Sequence, residues 1–367
     1  MHFSTLSLIA FLGSPCLGLH HFYSGLFAGD SLYYIAFDEN TSELSVVSNA
    51  SIGIDSSKWI ALDKKHDNLY VTNGAQYNSY SIAENKTVKY QGSASISGGC
   101  DNANYIVSST AEPFTVFGAP YSNGCPGQVI SVDSTGTLNS VIANISYSNS
   151  SGAHGLALSS DNKFIYTGDD MGSAVWVHSY DATNNQVTTI QHIDVTGNPR
   201  HLVVHPGGHY VYVLLESGNE VAVYSRDSQT GKITNTNTTF STIPSGYTNT
   251  SSYWSGEIMF SFPQEGESPK YLTASARSRE SSSPGFVTAF SLDSTTGAIQ
   301  KQLFLTPTTS YGGASNAISP AIFSEEYFAI ADAGDNFVEV WKMNEESASV
   351  VAHLDMDYSP ANLVWYD

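Results

Sequence analysis

Short hydrophobic runs rich in Val, Ile, Tyr and Thr recur along the chain, separated by segments of Gly, Asn, Asp and Ser. This pattern is typical of β-strands joined by turns, and the 3.6-residue periodicity of amphipathic helices is almost absent. One arrangement repeats: a hydrophobic strand, a polar turn and a second hydrophobic strand. Its five clear copies are Trp59–Asp63 with Asn68–Thr72, His154–Leu158 with Lys163–Thr167, Arg200–Val204 with His209–Val213, Ile258–Phe262 with Lys270–Ala274, and Asn316–Pro320 with Tyr327–Ala331.

The spacing of these copies predicts the architecture. They start at positions 59, 154, 200, 258 and 316, and a terminal strand starts near 362, which gives separations of 95, 46, 58, 58 and 46 residues. The first separation holds two units, because a weaker copy begins near Asn104. Seven units of about 50 residues are typical of a β-propeller, in which each unit is one four-stranded blade. The sequence therefore predicts an all-β, seven-bladed β-propeller.

The two ends of the predicted propeller are expected to meet. The C-terminal segment Ala361–Asp367 has the pattern of a strand, and we expect it to share a blade with Leu19–Ser24, which would close the ring. No linker interrupts the repeats, so residues 19–367 are predicted to form a single domain. The Ser/Thr/Asn-rich stretch Asn235–Ser252 is predicted to be a long loop within one blade.

The N-terminus has the features of a secretory signal peptide. The apolar run Leu6–Leu12 is too short to span a bilayer, and Pro15–Gly18 offers small residues for cleavage after Gly18. We therefore predict a signal peptide over residues 1–18, with a buried first strand as the alternative. No later stretch is long and apolar enough to be a membrane anchor.

Two further features agree with an extracellular protein. Cleavage would remove Cys16 and leave Cys100 and Cys125, which predicts one disulfide in an oxidising compartment; the alternative is two free buried thiols. Seven sequons of the form Asn-x-Ser/Thr predict a glycosylated surface. Their acceptor residues are Asn40, Asn49, Asn85, Asn144, Asn149, Asn237 and Asn249.

Composition and charge exclude several classes of protein. Charged residues make up 13% of the chain and aromatic residues 12%, which excludes a disordered acidic chain and a coiled coil. Fourteen Lys and Arg stand against 34 Asp and Glu, for a formal net charge of −20. A body this acidic repels phosphate backbones, so no nucleic-acid partner is expected. An acidic, lysine-poor secreted protein is also expected to function best below neutral pH.

Candidate chemistry lies where the repeated strands begin or end, because the loops at one end of a propeller usually meet the ligand. His154 and Arg200 begin strand pairs, and Glu216 and Arg277 follow or end them, so we expect both arginines at equivalent ends of inner strands. Two guanidinium groups from different blades can clamp carboxylates, and His154 or Glu216 can transfer a proton. His201, His205 and His209 are spaced by four residues, but the turn at Pro206–Gly208 argues against a metal site.

Seven segments resemble one enzyme family throughout the mature chain. They are Gly152–Gly155, Asn198–Arg200, Tyr210–Asn219, Ala274–Arg277, Ile299–Pro307, Ser315–Pro320 and Trp365–Asp367. They closely resemble the fungal 3-carboxy-cis,cis-muconate lactonizing enzymes, which belong to the lactonase-type seven-bladed propellers. The resemblance implies a cycloisomerase that uses no metal and no cofactor.

The resemblance also implies residue roles. Arg200 and Arg277 would bind and polarise the carboxylates of a muconate-type poly-acid, while one carboxylate attacks the substrate's own double bond to form a lactone. His154 or Glu216 would donate the proton that carbon needs. By motif, these four residues match the family's catalytic positions.

Two stretches depart from the family pattern. Ala314 stands where the family has a His, and Gly98–Asp101, with Cys100, stands where the family has a His and an Arg. Three functions therefore stay open: a secreted lactonizing isomerase, an extracellular lactone hydrolase in which His154 activates water, and a glycosylated binding or antigenic protein without catalysis. The expected ligand of the first two is a small anionic or lactone substrate.

Overall fold

The structure is a computed structural model that describes residues 18–53, 56–112, 114–247 and 250–367. Over these ranges the chain forms 28 strands in seven four-stranded antiparallel sheets, which confirms the predicted seven-bladed propeller. The predicted signal peptide lies outside the described residues except for Gly18. No helix of the described part is long and apolar enough to cross a membrane.

The strands follow one another in blade order. The first three sheets contain β1 (Leu19–Leu26), β2 (Ser31–Asp38), β3 (Glu43–Ser51); β4 (Ile60–Leu62), β5 (Asn68–Asn73), β6 (Gln76–Ile82), β7 (Val88–Ser95); and β8 (Ala103–Ser108), β9 (Thr115–Pro120), β10 (Gly127–Val132), β11 (Leu138–Ile145). The next two contain β12 (Ala153–Leu158), β13 (Phe164–Asp169), β14 (Ala174–Asp181), β15 (Gln186–Asp194); and β16 (Pro199–Val204), β17 (Tyr210–Leu215), β18 (Glu220–Arg226), β19 (Ile233–Ser241).

The last two sheets and the closing strand complete the ring. They contain β20 (Tyr253–Phe260), β21 (Tyr271–Ser278), β22 (Phe286–Leu292), β23 (Ile299–Pro307); β24 (Asn316–Pro320), β25 (Tyr327–Asp332), β26 (Phe337–Met343), β27 (Ala348–Asp355); and β28 (Pro360–Trp365). Two 3-10 turns, at Ser97–Gly99 and Thr250–Ser252, interrupt the connections.

The inner strands form a continuous ring around the axis. Strands β4, β8, β12, β16, β20, β24 and β28 each contact the next, and β28 returns to β4. Strand β28 pairs with β1, with Phe22 opposite Trp365 and Tyr23 opposite Val364, as the sequence predicts. The outermost strand of each sheet is at least partly exposed, and β3 and β19 are exposed along most of their length.

The hydrophobic core lies between adjacent sheets. One cluster, for example, joins Phe22 and Trp365 of the first blade to Ala329 and Val338 of the β24–β27 blade. Each sheet thus buries both faces only because a neighbour covers each of them.

The prediction for Asn235–Ser252 is wrong in part. Residues up to Ser241 belong to β19, the outer strand of its blade, and only the remainder connects that strand to β20. Because β19 is exposed on both faces, its Asn/Thr sequence lacks the hydrophobic alternation that identifies a strand.

Candidate active site

The four predicted site residues lie at the end of the ring where the inner strands begin. His154 and Arg200 are the second residues of the inner strands β12 and β16. Glu216 directly follows β17. Arg277 lies near the end of β21, the second strand of its blade, so the expectation that both arginines occupy inner strands is wrong for Arg277. Antiparallel pairing brings the end of a second strand beside the start of the first, which puts Arg277 at the same rim.

All four side chains line one cleft of about 530 Å³ at the channel mouth. A second hollow, of about 270 Å³ between the second and third blades, is lined by none of them. The other residues around the cleft are Phe27, Lys58, Asn102, Asn104, Tyr121, Asp170, Asn198, Ser217, Trp254 and Ala314.

Glu216 joins the two arginines. Its Oε1 accepts a hydrogen bond from Arg277 Nη2 at 2.5 Å and lies 3.3 Å from Arg200 Nε. Arg200 Nη1 also donates to the carbonyl oxygen of Gly256. The carboxylate therefore holds two guanidinium groups from different blades side by side, where they would otherwise repel each other.

Arg277 retains donors that no protein group uses. Its Nε and Nη1 are buried without a hydrogen-bond partner among the described residues. Burial, and then the charge of Arg200, lower the pKa of Arg277 to about 10, while Glu216 opposes the shift. Buried N–H donors without partners cost free energy that an anionic ligand would recover.

His154 is a neutral imidazole at the wall of the cleft. Its Nδ1 lies 3.0 Å from Nε2 of His201 and 3.3 Å from Nδ2 of Asn104. Burial, and then the charges of Arg200 and Arg277, hold the pKa of His154 well below its usual value. Because Nδ1 is occupied, Nε2 is the nitrogen available to a bound molecule.

Comparison with known proteins decides the family. The family model described as lactonase, 7-bladed beta-propeller matches residues 23–350. The chain belongs to this lactonase family. A curated relative, the carboxy-cis,cis-muconate cyclase of Neurospora crassa, is 28% identical over an alignment of 372 residues that covers 95% of this chain and 100% of that protein.

Solved structures of the same fold extend the comparison. A putative 6-phosphogluconolactonase from Bacteroides fragilis NCTC 9343 superposes with a TM-score of 0.78 at 18% identity, covering 96% of this chain and 99% of that one. The periplasmic gluconolactonase PpgL of Pseudomonas aeruginosa gives a TM-score of 0.78 at 15% identity, covering 95% and 99%. At these identities the two structures show the shared fold alone. The family match and the curated relative support a lactone-related enzyme.

The lactonase-family cleft contains functional groups that the sequence did not reveal. His201 contacts His154 from the next blade, whereas the sequence singles it out only by a four-residue spacing that the turn at Pro206–Gly208 argues against as a metal site. Within the described ranges, no group of three or more His, Cys, Asp or Glu side chains is arranged to hold a metal ion. Glu257, in the middle of β20, lies behind His201, and only the folded ring brings the two together.

Tyr121 and Asp170 form a second polar pair at the rim. The Tyr121 hydroxyl donates to Asp170 Oδ2. Burial, and then the charge of Glu216, raise the pKa of Asp170. Lys58 brings a third cation to the cleft, where its Nζ donates to Asn102 Oδ1 at 2.7 Å. The cleft is therefore richer in positive charge than the acidic body of this lactonase-family protein.

The remaining predicted positions lie outside the cleft. Cys100 and Cys125 are joined in a disulfide that links the two loops preceding β8 and β10. Asn249 lies outside the described residues. The six other sequon residues are all exposed and lie on outer strands or connecting loops: Asn40, Asn49, Asn85, Asn144, Asn149 and Asn237.

Proposed function

We propose that the protein is a cycloisomerase that closes a lactone within a muconate-type poly-carboxylate bound in the cleft. The observation that carries this proposal is the arrangement of Arg200 and Arg277 around Glu216, with unused buried donors on Arg277. The cyclase of Neurospora crassa, similar over nearly the whole chain, gives the proposal its reaction class.

In this proposal the arginines bind the substrate through its carboxylates. The free Nε and Nη1 of Arg277 would hold one carboxylate, and Arg200 and Lys58 would face the others. A guanidinium group fixes a carboxylate in orientation as well as position, because its N–H groups form a planar fork. One remaining carboxylate is thereby placed against the substrate's own double bond.

Ring closure then exchanges one π bond for a C–O bond and a C–H bond. The attacking carboxylate oxygen forms the C–O bond, and the electron pair of the double bond moves toward a carbon next to a carboxylate held on arginine. The guanidinium charge stabilises that developing negative charge. His154 delivers the proton to carbon through Nε2, while Glu216 already accepts from Arg277 and pairs with Arg200, so its role is to hold them.

A lactone hydrolase is the second candidate. The depressed pKa of His154 favours it, because a neutral imidazole beside the cleft can also accept a proton from water that attacks a lactone carbonyl. Both reactions would use the same arginines. They differ in whether the ring is formed or opened.

The experiment follows the ultraviolet absorbance of carboxy-cis,cis-muconate and identifies the product by NMR. We expect the absorbance to fall as a lactone forms, and Arg277→Gln to lower kcat/KM by roughly 100-fold, as expected for losing a charged donor to the reacting anion. Arg226→Gln is the matched control, because Arg226 lies on β18 outside the cleft, and it should stay within about twofold of the wild type.

A panel of preformed lactones distinguishes the alternatives. Ring opening with no consumption of the muconate would support the hydrolase and contradict the isomerase. No reaction with either substrate class would leave a binding or antigenic surface protein as the function.

A further inference from the structure

Three buried titratable side chains form a line from the interior of the propeller to the cleft. Glu257 Oε2 lies 2.9 Å from Nδ1 of His201, and His201 Nε2 lies 3.0 Å from Nδ1 of His154. The three residues come from β20, β16 and β12, the inner strands of three consecutive blades. Only His154 reaches the main cleft. The line therefore connects a buried carboxyl group to the site of the proposed chemistry.

The inner end of the line is well enclosed. The Glu257 residue is 1% exposed, and its Oε2 is buried without a hydrogen-bond partner among the described residues, so its 2.9 Å approach to His201 Nδ1 is a close contact that becomes a hydrogen bond only after a small reorientation. The rings of Trp59 and Tyr105 lie 4.8 and 5.2 Å from that of His201, measured between centroids. Glu257 also lines a hollow of about 20 Å³ that shares His154 and Arg277 with the main cleft. That hollow has room for about one water molecule, so the two imidazoles are the side-chain connection between Glu257 and the cleft.

The neighbouring amide favours one arrangement of the protons on the two histidines. Asn104 Nδ2 is 3.2 Å from the backbone oxygen of His154, which can only accept, so this end of the amide is the NH₂ group. The same Nδ2 lies 3.3 Å from His154 Nδ1, which favours the tautomer in which this nitrogen is unprotonated. In that tautomer His201 Nε2 carries a hydrogen and donates it to His154, and His201 Nδ1 is unprotonated, faces Glu257 and lies 3.3 Å from Nη1 of Arg200. A protonated Glu257 completes the chain of donors.

The charges around the line agree with this assignment. Arg200 adjoins His201, Arg277 lies across the cleft, and Tyr105 from β8 faces both His201 and Glu257. Burial, and then Arg200, hold the pKa of His201 well below its usual value, while burial raises the pKa of Glu257 to about 8 against the opposing effect of Arg200. Guanidinium charges disfavour an imidazolium at either histidine, so a proton would pass through them without resting there.

We propose that Glu257 stores the proton of the reaction and that His201 relays it to His154, which delivers it to the substrate. This rests on the proposed function. His154 gives its Nε2 proton to carbon and takes the His201 Nε2 proton on Nδ1. His201 takes the Glu257 carboxyl proton on its own Nδ1. The product gains one C–H bond, Glu257 becomes a carboxylate, and both histidines stay neutral.

The relay then resets in reverse. One substrate carboxylate becomes an uncharged ester when the lactone closes, and one proton is added to carbon, so each turnover consumes one proton. Water in the cleft supplies it to His154 Nε2 after product leaves, and the proton returns through His201 to Glu257. His201 and Glu257 are thus positioning residues that act through His154.

The deciding variant is Glu257→Gln, because a glutamine NH₂ can still donate to His201 Nδ1 but holds no transferable proton. We expect kcat to fall about 100-fold, with KM within about twofold of the wild-type value. The wild type should lose activity above about pH 8, and the residual rate of the variant should not. Glu257→Asp keeps an acid at this position, so its activity should still fall at high pH as that of the wild type does. Glu339→Gln is the matched control, because Glu339 is also a buried carboxylate, with His353 at 3.0 Å, and lies outside the cleft.

Two outcomes would overturn the relay. One is that the wild type turns over substrate and Glu257→Gln has the same kcat and pH profile as the wild type. Absence of turnover in the wild type would instead contradict the proposed function. The other comes from infrared spectroscopy, which needs no activity and also serves if the variant folds poorly. We expect wild type at pH 6 to show a protonated-carboxyl band that disappears by about pH 9 and is missing from Glu257→Asp at the same frequency. No titrating band would mean that Glu257 stores no proton.

Discussion

At the residue scale, the cleft depends on the charge balance around Glu216. This carboxylate separates two guanidinium groups that are each nine-tenths or more buried, so its removal would leave two like charges facing each other. Arg200, Arg277 and Glu216 could be predicted from the sequence because each lies at or beside the start or end of a repeated strand. It could not find the ion pairs, since they join blades that are far apart along the chain.

We expect Glu216→Gln to lower the free energy of unfolding by about 3 kcal/mol, the scale for breaking a largely buried ion pair by removing one partner. Urea unfolding measures this. A poly-carboxylate should raise the melting temperature more in the variant than in the wild type, because it would replace the lost negative charge. Glu346→Gln, at an exposed position, should change stability by less than about 0.5 kcal/mol. A Glu216→Gln protein as stable as that control would contradict the charge-balance account.

Buried titratable groups predict opposite pH effects on stability. The folded-state pKa values of His154 and His201 lie well below 6.5, so the unfolded chain binds protons that the folded chain cannot, and stability falls as pH drops below about 6.5. Glu257 has a folded-state pKa of about 8 against 4.5 unfolded, so the folded chain holds a proton that the unfolded chain has released, and stability falls as pH rises between these values.

Glu257→Gln isolates the second effect. Between about pH 5 and 8 the unfolding constant of the wild type should increase, relative to that of the variant, by up to tenfold per pH unit. Parallel pH profiles of stability for the two proteins would show that Glu257 does not hold a proton in the folded state.

At the element scale, ring closure rests on the last strand. Strand β28 supplies the innermost position of the blade that begins with β1, and Trp365 packs against Phe22, Phe37 and Phe323. The sequence predicted this pairing because both ends carry strand patterns and an open ring would leave an unpaired edge. Strand β19 was missed for the converse reason: its exposed Thr and Asn residues give no periodic signal.

Trp365→Ala should lower the free energy of unfolding by about 3–5 kcal/mol, because a buried indole leaves a large cavity. The measurement is equilibrium unfolding in urea. Tyr358→Ala, at a residue 49% exposed in the segment before β28, is the control and should cost less than about 0.5 kcal/mol. Equal losses in the two variants would contradict the closing role of β28.

At the scale of the whole molecule, the sevenfold repeat was readable from sequence and the relay was not. The repeat imposes a period of about 50 residues on the hydrophobic pattern, and this period can be recognised directly in the sequence. Glu257, His201 and His154 become neighbours only because consecutive inner strands meet around the axis. A buried Glu within a strand gives no linear signal that distinguishes it from an exposed one.

The molecule also separates its charges. A chain with a formal net charge of −20 gathers Arg200, Arg277 and Lys58 at one channel mouth. The predicted glycan acceptors that the structure describes are exposed on outer strands and connecting loops, and none of them lines the cleft. Small anions are the ligands that such a charge distribution selects.

The most direct test of the central claim is isothermal titration of a saturated tricarboxylate, which has no double bond to react, into the wild type and Arg277→Gln. We expect one site per chain in the wild type and roughly 10- to 100-fold weaker binding in the variant, since a buried charged donor is lost. Arg226→Gln should bind like the wild type. Equal affinity in wild type and Arg277→Gln would contradict the claim that this cleft is built to hold a poly-anion.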